Sequence, residues 1–230
     1  MTRSLYLTVQ ATPIPEDISA LRETLEIAFP LKENIPYLNA LCGSSLSRVT
    51  AQRLGALSLL PSLLTAVDIP AQDLIFKRNE HGRPHFTTKD GLPAGFDFNL
   101  SHTDTHVAAA LLIGEGRVGV DIEEPIPPER ALPLIHRYCT EGELSRLGRP
   151  TDDTLAAEFF TDVWVMREAI AKQDGGGMPL RFDTTSLPNG IVLWCGRLPH
   201  TNTRISLCAP AKDAPVTPCL LPHSLPVRFK

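Results

Sequence analysis

The sequence lacks the features that mark secreted, zinc-finger and membrane proteins. Its five cysteines are odd in number and widely spread, and none forms a CxxC pair, which argues against a disulfide framework and a zinc knuckle. It has no run of about 18 apolar residues, and its N-terminus lacks the basic, apolar and small-residue order of a signal peptide. We therefore expect a cytoplasmic protein with reduced thiols and no membrane association.

A large excess of charge is also lacking. The 230 residues carry a net charge of −4, which argues against binding to nucleic acid through bulk electrostatics. An anionic ligand would have to be bound by particular residues. Hydrophobic residues make up 43% of the chain and charged residues 21%, the profile of a globular protein with a sizeable core.

Strand and helix patterns follow one another without regular βαβ alternation. Strands are predicted at LYLTVQAT, FDFNL, HVAAALLIG, VGVDIE, GIVLWCGRL and TRISLCAP, and a hairpin at LIFKRNEHGRPHF. We expect FDFNL to end where SHTDT begins. Helices are predicted at Ile18 to Ala28, along a leucine stripe that Pro61 interrupts, and from about Asp153 to Gln173. This order favours the α+β class.

Two stretches with a similar order of elements meet near residue 115. We therefore predict an N-terminal subdomain at 1–115, a C-terminal subdomain at 116–210 and an irregular, proline-rich tail at 211–230. Thr140 with Glu143 forms the pattern of a capping box. Asp152 or Thr151 is expected to cap the longest helix.

Two carboxylates, Asp121 and Glu123, end an apolar strand. Strand residues two apart point to the same side, so these acids share a face, whereas Ile122 and Glu124 face the other way. Neighbouring carboxylates raise each other's pKa unless a cation lies between them, and oxygen-rich sites suit Mg²⁺. The alternative is a strand end at the surface, where the acids are simply solvated.

The longest helix carries Trp164, Glu168 and Lys172 at a spacing of four, with Arg167 beside this stripe. By itself, Glu168 with Lys172 is a common stabilising pair worth about 0.2–0.5 kcal/mol. The glycines at 175–177 follow the helix and do not precede one, so we interpret them as a helix stop and flexible turn.

Ser101 and His102 lie where the strand FDFNL ends, and a Ser with a His can bind a phosphate through hydrogen bonds. No orienting acid or oxyanion hole marks them as a catalytic pair. His102 and His106 are alternatively metal ligands, but no cysteine or third histidine lies nearby in the sequence.

Five motifs in this order resemble the 4'-phosphopantetheinyl transferases of the surfactin-synthetase-activating (Sfp) type. Members of this family carry a GKP turn, an NxSHS strand end, a VGxDIE strand, an FxxxE helix start and a WxxKEAxxK helix before a glycine-rich turn. The similar segments here are GRP at 82–84, NLSHT at 99–103, VGVDIE at 118–123, YCTEGE at 138–143 and WVMREAIAK at 164–172. The resemblance covers roughly residues 48–210.

The resemblance implies a monomer built as a pseudo-twofold pair of α/β subdomains, with the site between them. It implies the transfer of 4'-phosphopantetheine from coenzyme A to a serine of an apo acyl or peptidyl carrier protein, releasing 3',5'-ADP. Glu168 would act as the base, directly or through a water on the metal, and Lys172 and His102 would offset the charge of the leaving group. The implied Mg²⁺ ligands are Asp121, Glu123 and Glu168, and the implied coenzyme A ligands are Arg48, Arg83, Ser101, His102 and Lys172.

The sequence departs from the family pattern at three places. Arg83 and Arg167 stand where lysine is usual, and a planar guanidinium cannot make the contacts of an ammonium group. Arg53 lies five residues after Arg48 on the same predicted helix, so either could reach the 3'-phosphate. The preceding segment, 35–48, contains no lysine. Two other functions stay open: a non-catalytic paralogue that binds coenzyme A or a carrier protein, and another metal-dependent phosphoryl enzyme such as a pyrophosphatase.

Overall fold

The computed structural model describes residues 6–43, 47–175, 183–210 and 217–220. Within these ranges the strands are β1 (Tyr6–Pro13), β2 (Leu74–Arg78), β3 (Pro84–Thr88), β4 (Phe96–His102), β5 (His106–Ile113), β6 (Gly119–Glu123), β7 (Ile191–Arg197), β8 (Arg204–Pro210) and β9 (Thr217–Leu220). The α-helices are α1 (Ile18–Ala28), α2 (Ile35–Cys42), α3 (Ser47–Ser58), α4 (Leu60–Thr65), α5 (Ala131–Tyr138), α6 (Glu141–Leu147) and α7 (Asp153–Asp174).

The first sheet has the strand order β4-β5-β1-β9, and β9 is parallel to β1 while the other pairs are antiparallel. Buried leucines of α1 to α4 pack on this sheet together with the β2-β3 hairpin. Phe86 stands at the centre of this core, with ring centroids 4.5 Å from Phe76, 5.0 Å from Phe98 and 5.4 Å from Phe29. The hairpin is thereby attached to β4 and to the helices.

The second sheet has the antiparallel order β6-β8-β7. One side of it packs on β5, where the small side chains of Ala108 and Ala110 meet Val120 and Ile122. The other side packs on α7, the longest helix in the described residues. The two sheets therefore contact each other through β5 and β6, and α7 lies on the far side of the second sheet.

Local signals predicted several elements correctly. Helix α1 has the predicted bounds, and α7 begins after the capping residue Asp152 and ends at Gly175, which is left-handed with φ of +79°. The capping box of Thr140 and Glu143 is present. The leucine stripe is also interrupted near Pro61, as predicted: α3 ends at Ser58, and Pro61 lies in the first turn of a new helix, α4, that begins at Leu60. The remaining glycines of the predicted stop, 176 and 177, lie outside the described residues.

Two expectations are wrong. Strand β4 does not end before SHTDT but runs through Ser101 and His102, which pair with Ala108 and Val107 of β5. Within the predicted irregular tail, residues 217–220 form β9 against β1. Both errors concern pairing with a strand that is distant in the sequence, which a local pattern does not show.

The predicted mixture of helices and strands is confirmed, and the strand pairs are mainly antiparallel. The pseudo-twofold arrangement and the subdomain boundaries at 115 and 210 stay predictions, as do the cytoplasmic location and the monomeric state. In the part of the chain that the structure describes, no helix combines the length and hydropathy needed to cross a bilayer.

Candidate active site

Gly119 lets helix α7 lie directly against strand β6. A Cβ atom at this position would come within 1.9 Å of the carbonyl oxygen of Ala169, which no side chain could do without moving the helix. Gly119, Asp121 and Glu123 alternate along β6 and therefore share the face that α7 covers. This close approach brings the acids of β6 to the polar side chains of α7.

Asp121 lies at the centre of this contact. Its Oδ1 accepts hydrogen bonds from Ser101 Oγ at 2.7 Å and from Lys172 Nζ at 2.6 Å. Its Oδ2 is buried and has no hydrogen-bond partner among the described residues. Burial raises the pKa of Asp121, and the charge of Lys172 offsets part of that rise. One oxygen of a buried carboxylate is therefore left to accept a donor or a cation.

Glu123 and Glu168 complete an acidic cluster. Burial raises the pKa of Glu123 to about 7, and the charges of Asp121 and Glu168 add to the rise, whereas Lys172 and the Trp164 side chain oppose it. Burial and the charge of Asp121 likewise raise the pKa of Glu168. The carboxylates from β6 and α7 thus affect one another's protonation, so the structure brings these predicted residues together.

The cluster suits a cation chemically, although it is not a closed ligand set. In the described ranges no group of three or more His, Cys, Asp and Glu side chains is gathered closely enough to hold a metal ion. The residues nevertheless fit one, because Asp121 Oδ2 is an unpartnered buried acceptor and Glu123 is held among like charges. Carboxylate oxygens are the ligands that Mg²⁺ prefers.

Ser101, His102 and Lys172 surround the acids with hydrogen-bond donors. Lys172 Nζ donates to Ser101 Oγ at 3.1 Å as well as to Asp121, which joins the end of α7 to the end of β4. Burial and the nearby charges of Lys172 and Arg53 lower the pKa of His102, so its imidazole is neutral at pH 7. Glu124, as predicted, points elsewhere: it accepts a hydrogen bond from Thr103 Oγ1 at 3.1 Å.

Three polar side chains of β4 hold β6 in place. The backbone N–H groups of Val118, Val120 and Ile122 donate to side chains of β4. The acceptors are Asp97 Oδ2 at 2.8 Å, Asn99 Oδ1 at 3.0 Å and Ser101 Oγ at 3.3 Å, in that order. We call Asp97, Asn99 and Ser101 the β4 ladder. It aligns Ser101 with Asp121.

Sequence reasoning missed two members of the β4 ladder, Asp97 and Asn99. The signal was present, because polar residues alternate with Phe96, Phe98 and Leu100 along one strand. The alternation by itself predicts an apolar face and does not indicate what lies against the polar one. A polar face of Asp, Asn and Ser beside a second strand is a set of acceptors for backbone N–H groups.

Arg83 does not lie free beside the acids. Its guanidinium pairs with Asp97 at 2.5 Å and donates to the carbonyl oxygens of Val118 at 2.8 Å, Phe98 and Lys172. Only 12% of its side chain is exposed. Its predicted contact with coenzyme A is not tested by these bonds, which use both Nη groups. The remaining donor, Nε, is buried and has no hydrogen-bond partner among the described residues.

Arg167 points away from the acidic cluster. It forms a buried ion pair with Glu143 of α6, with Nη2 to Oε2 at 2.7 Å and side-chain exposures of 2% and 0%. Glu143 also accepts from the backbone N–H of Thr184 at 3.1 Å and from its own capping partner Thr140 at 2.9 Å. The pair joins α6, α7 and the segment that precedes β7. The arginine here has a structural partner, which the resemblance did not indicate.

The two candidate arginines of α3 differ in their surroundings. Arg48 is exposed and pairs with Asp104 at 2.7 Å. Arg53 lines a cavity of about 390 Å³, together with Tyr37, Arg78 and His102. Arg78 lies over the Tyr37 ring at 5.1 Å. The cavity therefore carries two guanidinium groups and opens beside the phosphate-binding candidate His102.

The fold and the site define a protein of mixed helices and strands with an acidic centre flanked by lysine, serine and histidine. Residues 117–206 match the 4'-phosphopantetheinyl transferase superfamily. This match includes Asp121, Glu123, Glu168 and Lys172, and it confirms the resemblance predicted from the five motifs. Arg48, Arg83, Ser101 and His102 lie before it.

Individual relatives agree with the family match. The chain is 30% identical over 125 residues to the 4'-phosphopantetheinyl transferase gsp of Aneurinibacillus migulanus, covering 54% of this chain and 48% of the relative. It is 33% identical over 114 residues to AcpT of Salmonella typhi, covering 50% and 55%. It is 30% identical over 149 residues to ffp of Bacillus subtilis, covering 65% and 57%. The chain thus spans about half the length of the curated relatives it matches.

Proposed function

We propose that this chain transfers the 4'-phosphopantetheine group of coenzyme A to a serine of an apo acyl or peptidyl carrier protein and releases 3',5'-ADP. The observation that carries the proposal is the meeting of Asp121 and Glu123 on β6 with Glu168 and Lys172 on α7, inside the segment that matches the transferase superfamily. An acidic cluster beside a lysine is suited to a substrate whose reacting group is a pyrophosphate.

The proposed cation is Mg²⁺. Asp121, Glu123 and Glu168 would hold it, because they offer only oxygen ligands and one of them has a buried oxygen without a partner. When bound, the cation would neutralise charge on the pyrophosphate oxygens and polarise the phosphorus that is attacked. It would also relieve the repulsion among the carboxylates that raises the pKa of Glu123.

Lys172, Ser101 and His102 would bind the phosphates. The Lys172 ammonium bridges Asp121 and Ser101 and has three donors, so it could donate to a phosphate oxygen while keeping an acidic neighbour. A neutral His102 would donate through one ring nitrogen. These donors would offset the negative charge that develops as 3',5'-ADP departs.

Glu168 is the proposed proton acceptor. The carrier serine must lose its Oγ proton as it attacks, and a carboxylate can accept it. Burial and the charge of Asp121 raise the pKa of Glu168 in the absence of a cation, whereas a bound cation would lower it. Its position one turn before Lys172 places base and phosphate ligand on the same helix face.

We assign the 3'-phosphate to the cavity beside His102. Arg53 lines that cavity, whereas Arg48 is exposed and paired with Asp104, so Arg53 is favoured over Arg48 as the ligand. Arg78 would supply a second positive charge in place of the missing lysines. The N-terminal part of the chain would thus bind the nucleotide.

We also propose that the site lies between two halves related by an approximate twofold axis. In support, each half packs a helical layer on a mainly antiparallel sheet, α3 and α4 in one half and α7 in the other. The β4 ladder connects the halves at the site.

Intact-mass analysis of the carrier tests the function. Apo carrier protein, coenzyme A and Mg²⁺ would be incubated with the chain, and the carrier should gain the mass of one phosphopantetheine group. Glu168→Gln serves as the inactive control. An unchanged carrier, in an assay in which a known transferase succeeds, would refute the proposal, and tight coenzyme A binding without product would favour the non-catalytic paralogue.

A further inference from the structure

Arg83 lies where four elements meet: the β2-β3 turn, β4, β6 and the end of α7. The turn that presents it is built locally, because Gly82 adopts φ of +79° and Asn79 Oδ1 accepts from the Arg83 N–H at 2.9 Å. The guanidinium then reaches away from the hairpin into the junction between the sheets.

Arg83 and Asp97 together bind both backbone polar groups of Val118, the residue that precedes β6. Asp97 Oδ2 accepts from the Val118 N–H at 2.8 Å, and Arg83 Nη2 donates to the Val118 carbonyl at 2.8 Å. Val118 immediately precedes the strand that carries Asp121 and Glu123. These two bonds therefore fix the position of β6 along β4 at the residue just before the strand begins.

Arg83 also holds the end of α7. Its Nη1 donates to the carbonyl of Lys172, one of the last residues of that helix. Carbonyls in the last turn lack regular partners within the helix, and a cation there also interacts favourably with the helix dipole. The Arg83 guanidinium thus connects Val118, just before β6, with the last turn of α7, which carries Lys172.

We propose that Arg83 is a positioning residue that, together with Asp97, sets the separation between β6 and the end of α7, and that it does not bind the phosphates of coenzyme A. The proposal rests on the function proposed above and replaces the prediction that Arg83 is a coenzyme A ligand. To reach a phosphate, Arg83 would have to leave a half-buried carboxylate and three carbonyl groups.

The fork of the guanidinium explains why arginine serves here. Its two Nη groups point to different acceptors, so one side chain reaches Asp97, Val118 and Lys172 at once. A lysine would keep the charge but would offer its donors from a single atom. Arg83→Lys should therefore keep the ion pair with Asp97 and lose one of the two bridges.

The test separates positioning from binding. We would measure kcat, the Kd for coenzyme A by calorimetry, and the midpoint of thermal unfolding for Arg83→Met, Arg83→Lys and Asp97→Asn. Positioning predicts that Arg83→Met lowers kcat by about 100-fold, as expected for a small displacement of reacting groups, lowers the unfolding midpoint, and changes the Kd by less than about threefold. Arg83→Lys should show the same pattern more weakly.

Two controls make the result specific. Lys77→Met removes an exposed cation from the same hairpin and should change none of the three quantities. Arg53→Met should raise the Kd for coenzyme A by about tenfold with little effect on unfolding, as loss of a phosphate ligand does.

A coupling measurement decides the matter without any activity. Unfolding of the double variant Arg83→Met with Asp97→Asn should cost clearly less than the sum of the two single variants, because they break the same contact. Additive losses, or a Kd for coenzyme A raised about tenfold in Arg83→Met or in Arg83→Lys with an unchanged unfolding midpoint, would overturn the proposal. Should the wild-type chain transfer nothing, the proposed function fails, while this cycle still tests Arg83.

Discussion

Strands β4 and β6 lie side by side and carry polar side chains at alternate positions, but they use them differently. On β4, the β4 ladder accepts hydrogen bonds from the backbone N–H groups of Val118, Val120 and Ile122, in β6 and just before it. On β6, Asp121 keeps an unpartnered oxygen and Glu123 is held among like charges. Polar groups that are satisfied within the protein stabilise the fold, whereas polar groups left unsatisfied at a cost are candidates for binding.

A second comparison gives the same lesson for the arginines. Arg83 and Arg167 stand where the family usually has lysine, and both form ion pairs with a buried or nearly buried acid. Arg167 joins α7 to α6, whereas Arg83 joins the β2-β3 turn and β4 to the residue before β6 and to the end of α7. Lys172, in contrast, has one acidic contact and is 28% exposed, so it is accessible to a ligand.

The largest expected effect separates the acids that face the site from the one that does not. Glu168→Gln should lower the rate of carrier modification by about 10³-fold, because it removes a cation ligand and the proposed base. Glu124→Gln should change the rate less than threefold or so, since Glu124 accepts hydrogen bonds from threonines away from the cluster. Initial rates from intact-mass analysis give both values. Equal losses would mean that the two faces of β6 are assigned wrongly.

Gly119→Ala tests the contact that brings α7 to the acids. The added methyl group would have to displace the Ala169 carbonyl, which should cost about 1–3 kcal/mol in the free energy of unfolding and reduce activity. Gly43→Ala is the matched control: its Cβ would be 3.6 Å from the nearest atom and φ is −73°. Urea unfolding measures both. A Gly119→Ala chain as stable as the wild type would show that α7 does not rest on β6.

Asn99→Leu should destabilise the fold by about 2 kcal/mol, because the replacement keeps the volume but leaves the Val120 N–H without its acceptor. Asn39→Leu alters an exposed amide and should stay within about 0.5 kcal/mol of the wild type. If both variants unfold alike, the β4 ladder contributes little to the junction.

Among the substitutions at the site, Asp121→Asn should change stability least, within about 1 kcal/mol of the wild type in the absence of Mg²⁺. An amide oxygen can still accept from Ser101 and Lys172, and the loss of the ion pair is offset by the removal of a buried negative charge whose second oxygen has no partner among the described residues. Chemical unfolding at pH 7 would show this. A loss as large as that of Asn99→Leu would place Asp121 with the structural residues of β4.

Elements governed by local rules could be predicted from the sequence. The bounds of α1, the capping box of Thr140 and the stripe of Trp164, Glu168 and Lys172 depend on residues within one or two helical turns. The alternation of Asp121, Ile122 and Glu123 correctly predicted that the two acids share a face, because side chains alternate along any strand.

Contacts between distant segments could not be predicted in this way. The extension of β4 through His102 depends on pairing with β5, and β9 exists because β1 offers it a free edge. The roles of Asp97 and Arg83 depend on how the first sheet meets β6 and α7, which no local pattern specifies. The resemblance named acids that lie close together in the structure, but it gave no reason why two positions that usually carry lysine carry arginine here.

Calorimetric titration with Mg²⁺, carried out with coenzyme A bound, tests most directly whether acids from β6 and α7 hold one cation together. The wild-type chain should bind about one Mg²⁺, and Glu123→Gln and Glu168→Gln should each weaken that binding strongly, whereas Glu124→Gln should not. Unchanged Mg²⁺ binding in both Glu123→Gln and Glu168→Gln would contradict a shared site between the strand and the helix.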